Sequence, residues 1–153
     1  MKALELKIPP PVVALLLALA MWALAALGPA LPWPEGTRRA VALVLALLGA
    51  SFDFMGLVAF LRRHTTINPL APRKTTALVT TGVYRFTRNP MYVGLLLFLT
   101  AWAVDLGAAW PLLGPVVFVL YITRFQIRPE ERVLAGLFGE AYTAYTRRVR
   151  RWL

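Results

Sequence analysis

Four long apolar stretches dominate the pattern of hydrophobic and polar positions along this chain. They cover residues 11–27, 40–61, 91–104 and 108–125. The second stretch alone supplies the roughly 20 apolar residues that a membrane-spanning helix needs. The third covers only roughly 20 Å of a ~30 Å hydrocarbon core, so we expect the third and fourth to form a hairpin with a wet pocket at one end. The pattern predicts an all-α integral membrane protein with about four transmembrane helices.

The first stretch has a second interpretation. It is preceded by Lys2 and Lys7 and followed by ALAALGPAL, a pattern that a cleaved signal peptide also shows. In that case the other three stretches would have to make the whole bundle. We therefore favour a retained first helix.

The C-terminal stretch from Pro129 reads PEERVLAGLFGEAYTAYTRRVRRWL and is charged throughout. Proline followed by Glu130 and Glu131 suits a helix start, which predicts a cytoplasmic amphipathic helix with aromatic anchors. Gly136 and Gly139 can break this helix. If it is continuous, one face carries an acid among aromatic and apolar residues: Glu131, Phe138, Tyr142, Tyr145 and Val149.

The basic residues give an orientation. The connection 62–89 and the C-terminal tail are rich in arginine, whereas the connection DLGAAW between the third and fourth stretches has no basic residue. The positive-inside rule places the first two in the cytoplasm and the last outside. We expect four spans in the cell (inner) membrane with both termini cytoplasmic, although Arg38 and Arg39 lie on the outer side in this scheme.

Composition supports a membrane protein and excludes some chemistry. Hydrophobic residues make up 59% of the chain and mean hydropathy is +0.63, above the roughly 45–50% apolar content of soluble domains. At 153 residues we expect one domain, residues 1–153. The absence of cysteine rules out disulfides and thiolate ligands, and a lone His64 leaves little for a metal site. The net charge of +10 follows the predicted membrane boundary, so no nucleic-acid partner is expected.

One acid lies inside an apolar stretch. Asp53 is flanked at i−4 and i+3 by Gly49 and Gly56, and small residues on one helix face let another helix approach closely. We therefore expect Asp53 to face the bundle. An acid within a span is either functional or a structural hydrogen-bonding group, and the sequence leaves both interpretations open.

The stretch TRNPMYVG, residues 87–94, marks the start of the third apolar segment. Asn89 is a favourable N-cap and Pro90 suits the first helical position. With Arg85 and Arg88 close by, this helix start could bind a carboxylate or phosphate, or it could be ordinary capping.

Taken together, LVTTGVYRFTRNPMYVG, a helical hairpin and EERVLAGLFGEAYTAYTRRV resemble the isoprenylcysteine carboxyl methyltransferase family and its phospholipid methyltransferase relatives. The resemblance covers roughly residues 40–150. It implies an integral membrane enzyme that uses S-adenosyl-L-methionine, with cofactor-site regions at 76–94 and 124–148. The pocket positions it implies are Thr76, Ala77, Leu78, Val79, Tyr84, Asn89, Pro90, Met91, Tyr92 and Glu130.

The chemistry of that cofactor suggests further roles. Arg88 and the helix start at Asn89 could hold its carboxylate, and Glu130, with Glu131 beside it, its ammonium or ribose. Aromatic faces such as Tyr84, Tyr92 and Tyr142 could neighbour the sulfonium. For catalysis the candidates are Glu130 with Arg124 or Arg128, either of which could orient an anionic acceptor.

Several positions depart from the family pattern. Asn89 stands where the family has the histidine of RHPxY, Thr76 replaces a pocket histidine, and Gln126 stands where an arginine is usual. The tail reads VRRW rather than VPRF. These departures bear on the substrate more than on the cofactor.

Two other functions remain open. A membrane reductase of the sterol reductase type would use NADPH, but such enzymes tend to carry an acid where this chain has Leu95, Leu96 and Leu97. A small four-helix cation transporter would use Asp53 as its coupling site. The expected partner is a lipophilic small molecule or lipid in the membrane. The acceptor group and the oligomeric state are not indicated by the sequence.

Overall fold

A computed structural model describes residues 5–62 and 77–153 of the chain. Every regular element in these two ranges is a helix, so the predicted all-α class is confirmed. The α-helices are α1 (Pro10–Ala25), α2 (Glu35–Arg62), α3 (Pro90–Leu106), α4 (Leu113–Ile122) and α5 (Arg128–Arg148). Two short 3₁₀-helices, Gly82–Arg85 and Trp110–Leu112, precede α3 and α4, and a π-helix, Thr123–Ile127, joins α4 to α5.

Two helices are long and apolar enough to cross a membrane by length and composition, Glu35–Ala59 and Trp110–Arg148. The helices Pro10–Ala25 and Pro90–Leu106 are apolar but shorter. The first three predicted segments each correspond to one helix, with ends that differ by up to five residues. These helices support the predicted membrane character.

Helices α2 and α3 pack closely because small residues meet at their contact. A Cβ atom built at Gly49 of α2 would lie 3.0 Å from the carbonyl oxygen of Gly94 in α3. One built at Gly94 would overlap the carboxylate of Asp53. The prediction that Asp53 faces the bundle on a small-residue surface is therefore confirmed. Its Oδ1 atom is buried and has no hydrogen-bond partner within the described residues.

The main core lies between α1, α3 and α4. Met21, Leu99, Phe118 and Ile122 are almost fully buried there. Gly114 lets α4 approach α1, since a Cβ at this position would overlap the side chain of Met21. This core fixes the end of α4 from which the π-helix and α5 continue.

The fourth predicted segment differs from the structure. Ala108 is not helical: it forms an isolated antiparallel bridge with Ala30, so that the connection after α3 pairs with the one after α1. At its other end, α4 passes through the π-helix into α5 without a break in helical structure. The charged C-terminal helix is thus a continuation of the last apolar helix, and Pro129 falls in the first turn of α5, directly after the π-helix.

Helix α5 bends at one of the two glycines expected to break it. Gly139 has φ +50° and ψ −121°, outside the helical region. Gly136 lies within the helix. Beyond the bend, Tyr142 and Tyr145 are buried, although the face predicted to carry them assumed a continuous helix.

Candidate functional site

The segment before α3 folds over α2. Gly82 adopts φ +63°, which glycine tolerates best, and the turn leads into the 3₁₀-helix that carries Tyr84. Val79, Val83 and Tyr84 are buried together against Phe52 and Ala59 of α2. Burial raises the pKa of the Tyr84 phenol above its ordinary value, so this side chain stays neutral.

The start of α3 agrees with the sequence in position but not in its capping. Asn89 is the N-cap residue and Pro90 the first helical residue, as predicted. The Asn89 side chain, however, makes no capping hydrogen bond. Its Nδ2 donates to the carbonyl oxygen of Arg151 at 2.8 Å, and its backbone N–H donates to Oγ1 of Thr87 at 3.2 Å. The amide therefore ties the helix start to the C-terminal tail.

Glu130 joins α5 to α3. Its Oε1 accepts a hydrogen bond from the Tyr92 hydroxyl at 2.6 Å and one from Nε2 of Gln126 at 2.9 Å. The carboxyl group is partly buried. Two groups implied by the resemblance, Tyr92 and Glu130, are thus in direct contact although 38 residues separate them.

Glu131 lies between two arginines. Its Oε1 accepts from Nη2 of Arg88 at 2.8 Å and Nε of Arg151 at 2.9 Å, and its Oε2 accepts from Nη2 of Arg151 at 2.6 Å. The hydrogen bonds to Glu131 raise the pKa of the Arg151 guanidinium. Nε of Arg88 is buried and has no hydrogen-bond partner in the described part of the chain.

The C-terminal tail closes over the start of α3. The carbonyl oxygen of Arg150 accepts from the backbone N–H of Arg88 at 3.0 Å, and that of Arg151 accepts from the Thr87 hydroxyl at 3.3 Å. Nε1 of Trp152 donates to Oγ1 of Thr123 in the π-helix at 3.2 Å. The tail thus connects the two regions expected to form the site.

Three tyrosines line the same region. The Tyr145 hydroxyl donates to the backbone carbonyl oxygen of Tyr84 at 2.7 Å. The rings of Tyr142 and Tyr145 lie 6.4 Å apart between centroids, in an edge-to-face arrangement. This contact holds the last two turns of α5 against the segment that carries Tyr84.

The remaining predicted cofactor-site residues do not share one location. Thr76 lies outside the described residues. Ala77 and Leu78 are partly buried, and Met91 packs where a Cβ of Gly56 would lie, at the contact between α3 and α2.

The two candidate arginines do not meet Glu130 in the contacts of the described chain. Arg124 forms an ion pair with Glu5 at 3.4 Å, and Arg128 is exposed. A catalytic role for either residue stays a prediction.

Sequence reasoning missed four contributors: Thr87, Arg151 and Trp152 entirely, and Gln126 as a hydrogen-bond donor. The spacing of four between Gln126 and Glu130 on a helix could have indicated their contact. The contacts of Thr87, Arg151 and Trp152 depend on the path of the tail, for which local sequence gives no signal. Among residues 5–62 and 77–153, no three acidic or histidine side chains converge as metal ligands.

The comparisons with known proteins agree with the motifs. Residues 37–141 match the phospholipid methyltransferase family. An uncharacterized protein of Haemophilus influenzae is 48% identical over 63 residues, which cover 41% of this chain and all of that protein. No solved structure shows significant similarity to the chain.

Two relatives have names that indicate an activity. Methanethiol S-methyltransferase 1 of Bradyrhizobium diazoefficiens is 34% identical over 100 residues, covering 64% of this chain and 32% of that protein. A probable protein-S-isoprenylcysteine O-methyltransferase of Oryza sativa subsp. indica is 33% identical over 115 residues, covering 71% and 57%. The chain thus aligns with about a third to somewhat over half of these named methyltransferases. The resemblance read from the motifs is confirmed, and the chain belongs to the phospholipid methyltransferase family.

Proposed function

We propose that this protein transfers a methyl group from S-adenosyl-L-methionine to a lipophilic acceptor held in the membrane, at the cytoplasmic face. The observation that carries the proposal is the contact between Tyr92 and Glu130, with Gln126 as a second donor to the same carboxyl oxygen. These residues come from the two motifs that define the resemblance. The relatives named as methyltransferases for isoprenylcysteine and methanethiol support the same reaction type.

The residues present fit this cofactor. It carries an ammonium, a sulfonium and a carboxylate, so it needs both acidic and basic partners. Glu130 offers a carboxylate bordered by aromatic side chains, which suits a cationic group. Arg88 offers a buried Nε with no hydrogen-bond partner in the described chain, which suits a carboxylate. The two side chains thus offer one partner for a cationic group of the ligand and one for its carboxylate.

Each residue then has a defined task. When bound, S-adenosyl-L-methionine supplies an electrophilic methyl group. Glu130 binds the ammonium or a ribose hydroxyl, and Tyr92 and Gln126 hold the Glu130 carboxyl group in a single orientation. Arg88 binds the carboxylate of the ligand. Tyr84, whose pKa is raised by burial, contributes a neutral aromatic surface.

The acceptor enters from the membrane, whereas the cofactor enters from the cytoplasm. In this proposal the four apolar helices cross the bilayer, and the arginine-rich segments favour a cytoplasmic location for both chain termini. Displacement at a methyl group needs the nucleophile in near-attack geometry at a site that excludes water. Tyr142 and the tail residues at Arg151 and Trp152 close the cytoplasmic side of the site. Arg124 or Arg128 orients an anionic acceptor.

The proposal is tested by ligand binding to the detergent-purified protein. Calorimetry should show binding of S-adenosylmethionine and S-adenosylhomocysteine but not NADPH, and Glu130→Gln should weaken it about tenfold or more, as expected for loss of a charge-assisted hydrogen bond. Arg39→Gln is the matched control, because Arg39 pairs only with the exposed Glu35 in the first turn of α2 among the ion pairs of the described chain.

Each other outcome would overturn the proposal. Binding of NADPH alone would assign a reductase. If the protein is folded and binds none of the three ligands, the result would favour cation transport with Asp53 as the coupling site. Equal affinity of Glu130→Gln and the parent protein would remove Glu130 from the site.

A further inference from the structure

The N-terminal segment carries a carboxylate that lies between two arginines, apart from the contacts that join Tyr92, Gln126 and Glu130. Glu5 forms ion pairs with Arg124 of the π-helix, at 3.4 Å, and with Arg132 of α5. Its side chain is only 14% exposed, whereas those of Arg124 and Arg132 are 38% and 58% exposed. The two arginine side chains therefore remain partly accessible, whereas the carboxylate between them is largely buried.

Backbone geometry shows that this segment is held in place by its contacts. Leu6 has φ +56°, the left-handed region that a leucine rarely adopts. Its N–H donates to the carbonyl oxygen of Phe125 at 3.0 Å. Because the conformation is unfavourable for Leu6, the ion pairs of Glu5 and this hydrogen bond must compensate for it.

An open cleft adjoins the ion pairs. Its volume is about 590 Å³, and it is lined by Glu5, Leu6, Pro129, Arg132, Val133, Gly136 and Leu137. Two of these lining residues are charged, Glu5 and Arg132, and the others are apolar or glycine. The shape and lining suit an amphiphile with an anionic head and an apolar chain.

The charge around the cleft is not balanced by Glu5 alone. Arg124, Arg128 and Arg132 recur at intervals of four residues, and Glu5 supplies one negative charge to this group. The nearby acids Glu130 and Glu131 are engaged elsewhere, with Tyr92 and Gln126 and with Arg88 and Arg151. Glu5 and Arg132 balance each other in the lining of the cleft, and the excess of positive charge comes from Arg124 and Arg128, which precede Arg132 by eight and four residues.

We propose that this cleft binds the phosphate of an anionic phospholipid from the cytoplasmic leaflet, which displaces Glu5 from Arg124 and Arg132. The lipid is a ligand here and not the methyl acceptor, so the proposal does not depend on methyl transfer. Arg124 then binds the lipid phosphate, and of the two arginines proposed for an anionic acceptor Arg128 is left for that role. A membrane lipid fits better than a soluble anion for two reasons. The cleft lies where the exposed apolar residues of α4, such as Val117 and Leu120, give way to the charged α5. Basic residues at that boundary also attract the anionic lipids of the cytoplasmic leaflet.

The test measures lipid selectivity in phosphatidylcholine nanodiscs with spin-labelled phosphatidylglycerol. Arg132→Gln should weaken association of this lipid about fivefold, the effect expected for one basic residue at a membrane surface. Glu5→Gln should strengthen it, because the competing carboxylate is lost. Arg147→Gln is the matched control: it removes the same charge from an exposed position of the same helix, away from the cleft.

A second measurement reports displacement directly. Hydrogen exchange at the Leu6 amide should accelerate when phosphatidylglycerol is added to the parent protein, and should not respond to phosphatidylcholine. This readout needs no variant and therefore does not depend on whether a variant folds.

Three results would overturn the proposal. An equal loss in Arg147→Gln and Arg132→Gln would show diffuse attraction rather than a site. Unchanged or weaker lipid association in Glu5→Gln would show that Glu5 does not compete. Displacement of the spin-labelled lipid by glycerol 3-phosphate as readily as by phosphatidylglycerol would assign the cleft to a soluble phosphate.

Discussion

The hydroxyl of Tyr92 donates to Glu130 Oε1 at 2.6 Å and so joins the first turn of α3 to the first turn of α5. The same oxygen accepts from Gln126, the residue that replaces an arginine expected from the family pattern. An arginine at position 126 would place a full positive charge beside the Glu130 carboxyl group. The glutamine orients Glu130 through a neutral donor, so within the described residues the carboxyl group has no cationic side chain as its hydrogen-bond partner.

Removing the Tyr92 hydroxyl should weaken ligand binding through Glu130. We expect Tyr92→Phe to lower the affinity for S-adenosylhomocysteine about threefold to tenfold, as for loss of one hydrogen bond to a charged group. The effect should be much smaller in a Glu130→Gln background, since the pair is then already broken. Tyr121→Phe is the control, because the Tyr121 hydroxyl is buried without a hydrogen-bond partner in the described chain. Calorimetry in which both tyrosine variants lose the same affinity would contradict the assignment.

A methyl group at Gly94 should separate α2 from α3. Gly94→Ala would force a Cβ into the Asp53 carboxylate, and we expect a loss of about 1–3 kcal/mol in the free energy of unfolding. Asp53→Ala should restore much of that loss in the double variant, because it removes the overlapping atoms. Gly36→Ala in α2 meets no atom within 4 Å and should be neutral or slightly stabilising. Denaturation in detergent followed by circular dichroism measures all four proteins, and an additive double variant would argue against the clash.

The bend in α5 gives a second pair of matched substitutions. Gly139→Ala places a Cβ on a residue at φ +50° and ψ −121°, and should cost about 1–3 kcal/mol of stability. Gly136→Ala, three residues earlier in the same helix, should be neutral or stabilising, since no atom lies within 4 Å of its Cβ. Thermal unfolding followed by circular dichroism compares the two. Equal effects would mean that the bend is not required for the fold.

Neutralising Glu131 should release the C-terminal tail. Arg88 and Glu131 have side chains that are 12% and 19% exposed, so Glu131→Gln leaves a largely buried guanidinium without its carboxylate. We expect a loss of about 2 kcal/mol in stability, with faster hydrogen exchange at residues 149–152.

The control for this change is Glu35→Gln. Its ion pair with Arg39 is exposed at the start of α2, and surface pairs of this kind contribute about 0–1 kcal/mol. If the two glutamates prove equally dispensable, Glu131 does not hold the tail.

The sequence predicted the helical class, the segments that became the first three helices, and the side of α2 that meets α3. These features depend on local pattern: apolar stretches, a proline at the first helical position, and glycines spaced on one helix face. It also predicted that Glu130 and Tyr92 belong to one site. That inference came from a family resemblance, because neither residue signals the other across 38 positions.

Other features depended on long-range contacts and could not be predicted. Asn89 was expected to cap α3, yet its amide binds Arg151 of the tail instead. Arg124 was expected near an acceptor, and its ion pair with Glu5 arises from the path of the N-terminal segment. A separate last helix was expected at Pro129, because proline is common in the first turn of a helix. The structure accommodates this proline in a continuing helix, directly after the π-helix.

The way in which the tail is held makes one of its departures from the family pattern understandable. The start of α3 contacts the backbone carbonyl oxygens of Arg150 and Arg151, not their α-carbon substituents. Proline has the same carbonyl group, and Val149 is already extended, at φ −123° and ψ 131°, as a residue before proline must be. At position 150, arginine and proline can therefore present the same carbonyl acceptor to the start of α3, whereas Trp152 adds a hydrogen bond to Thr123 that the phenylalanine of VPRF has no N–H to make.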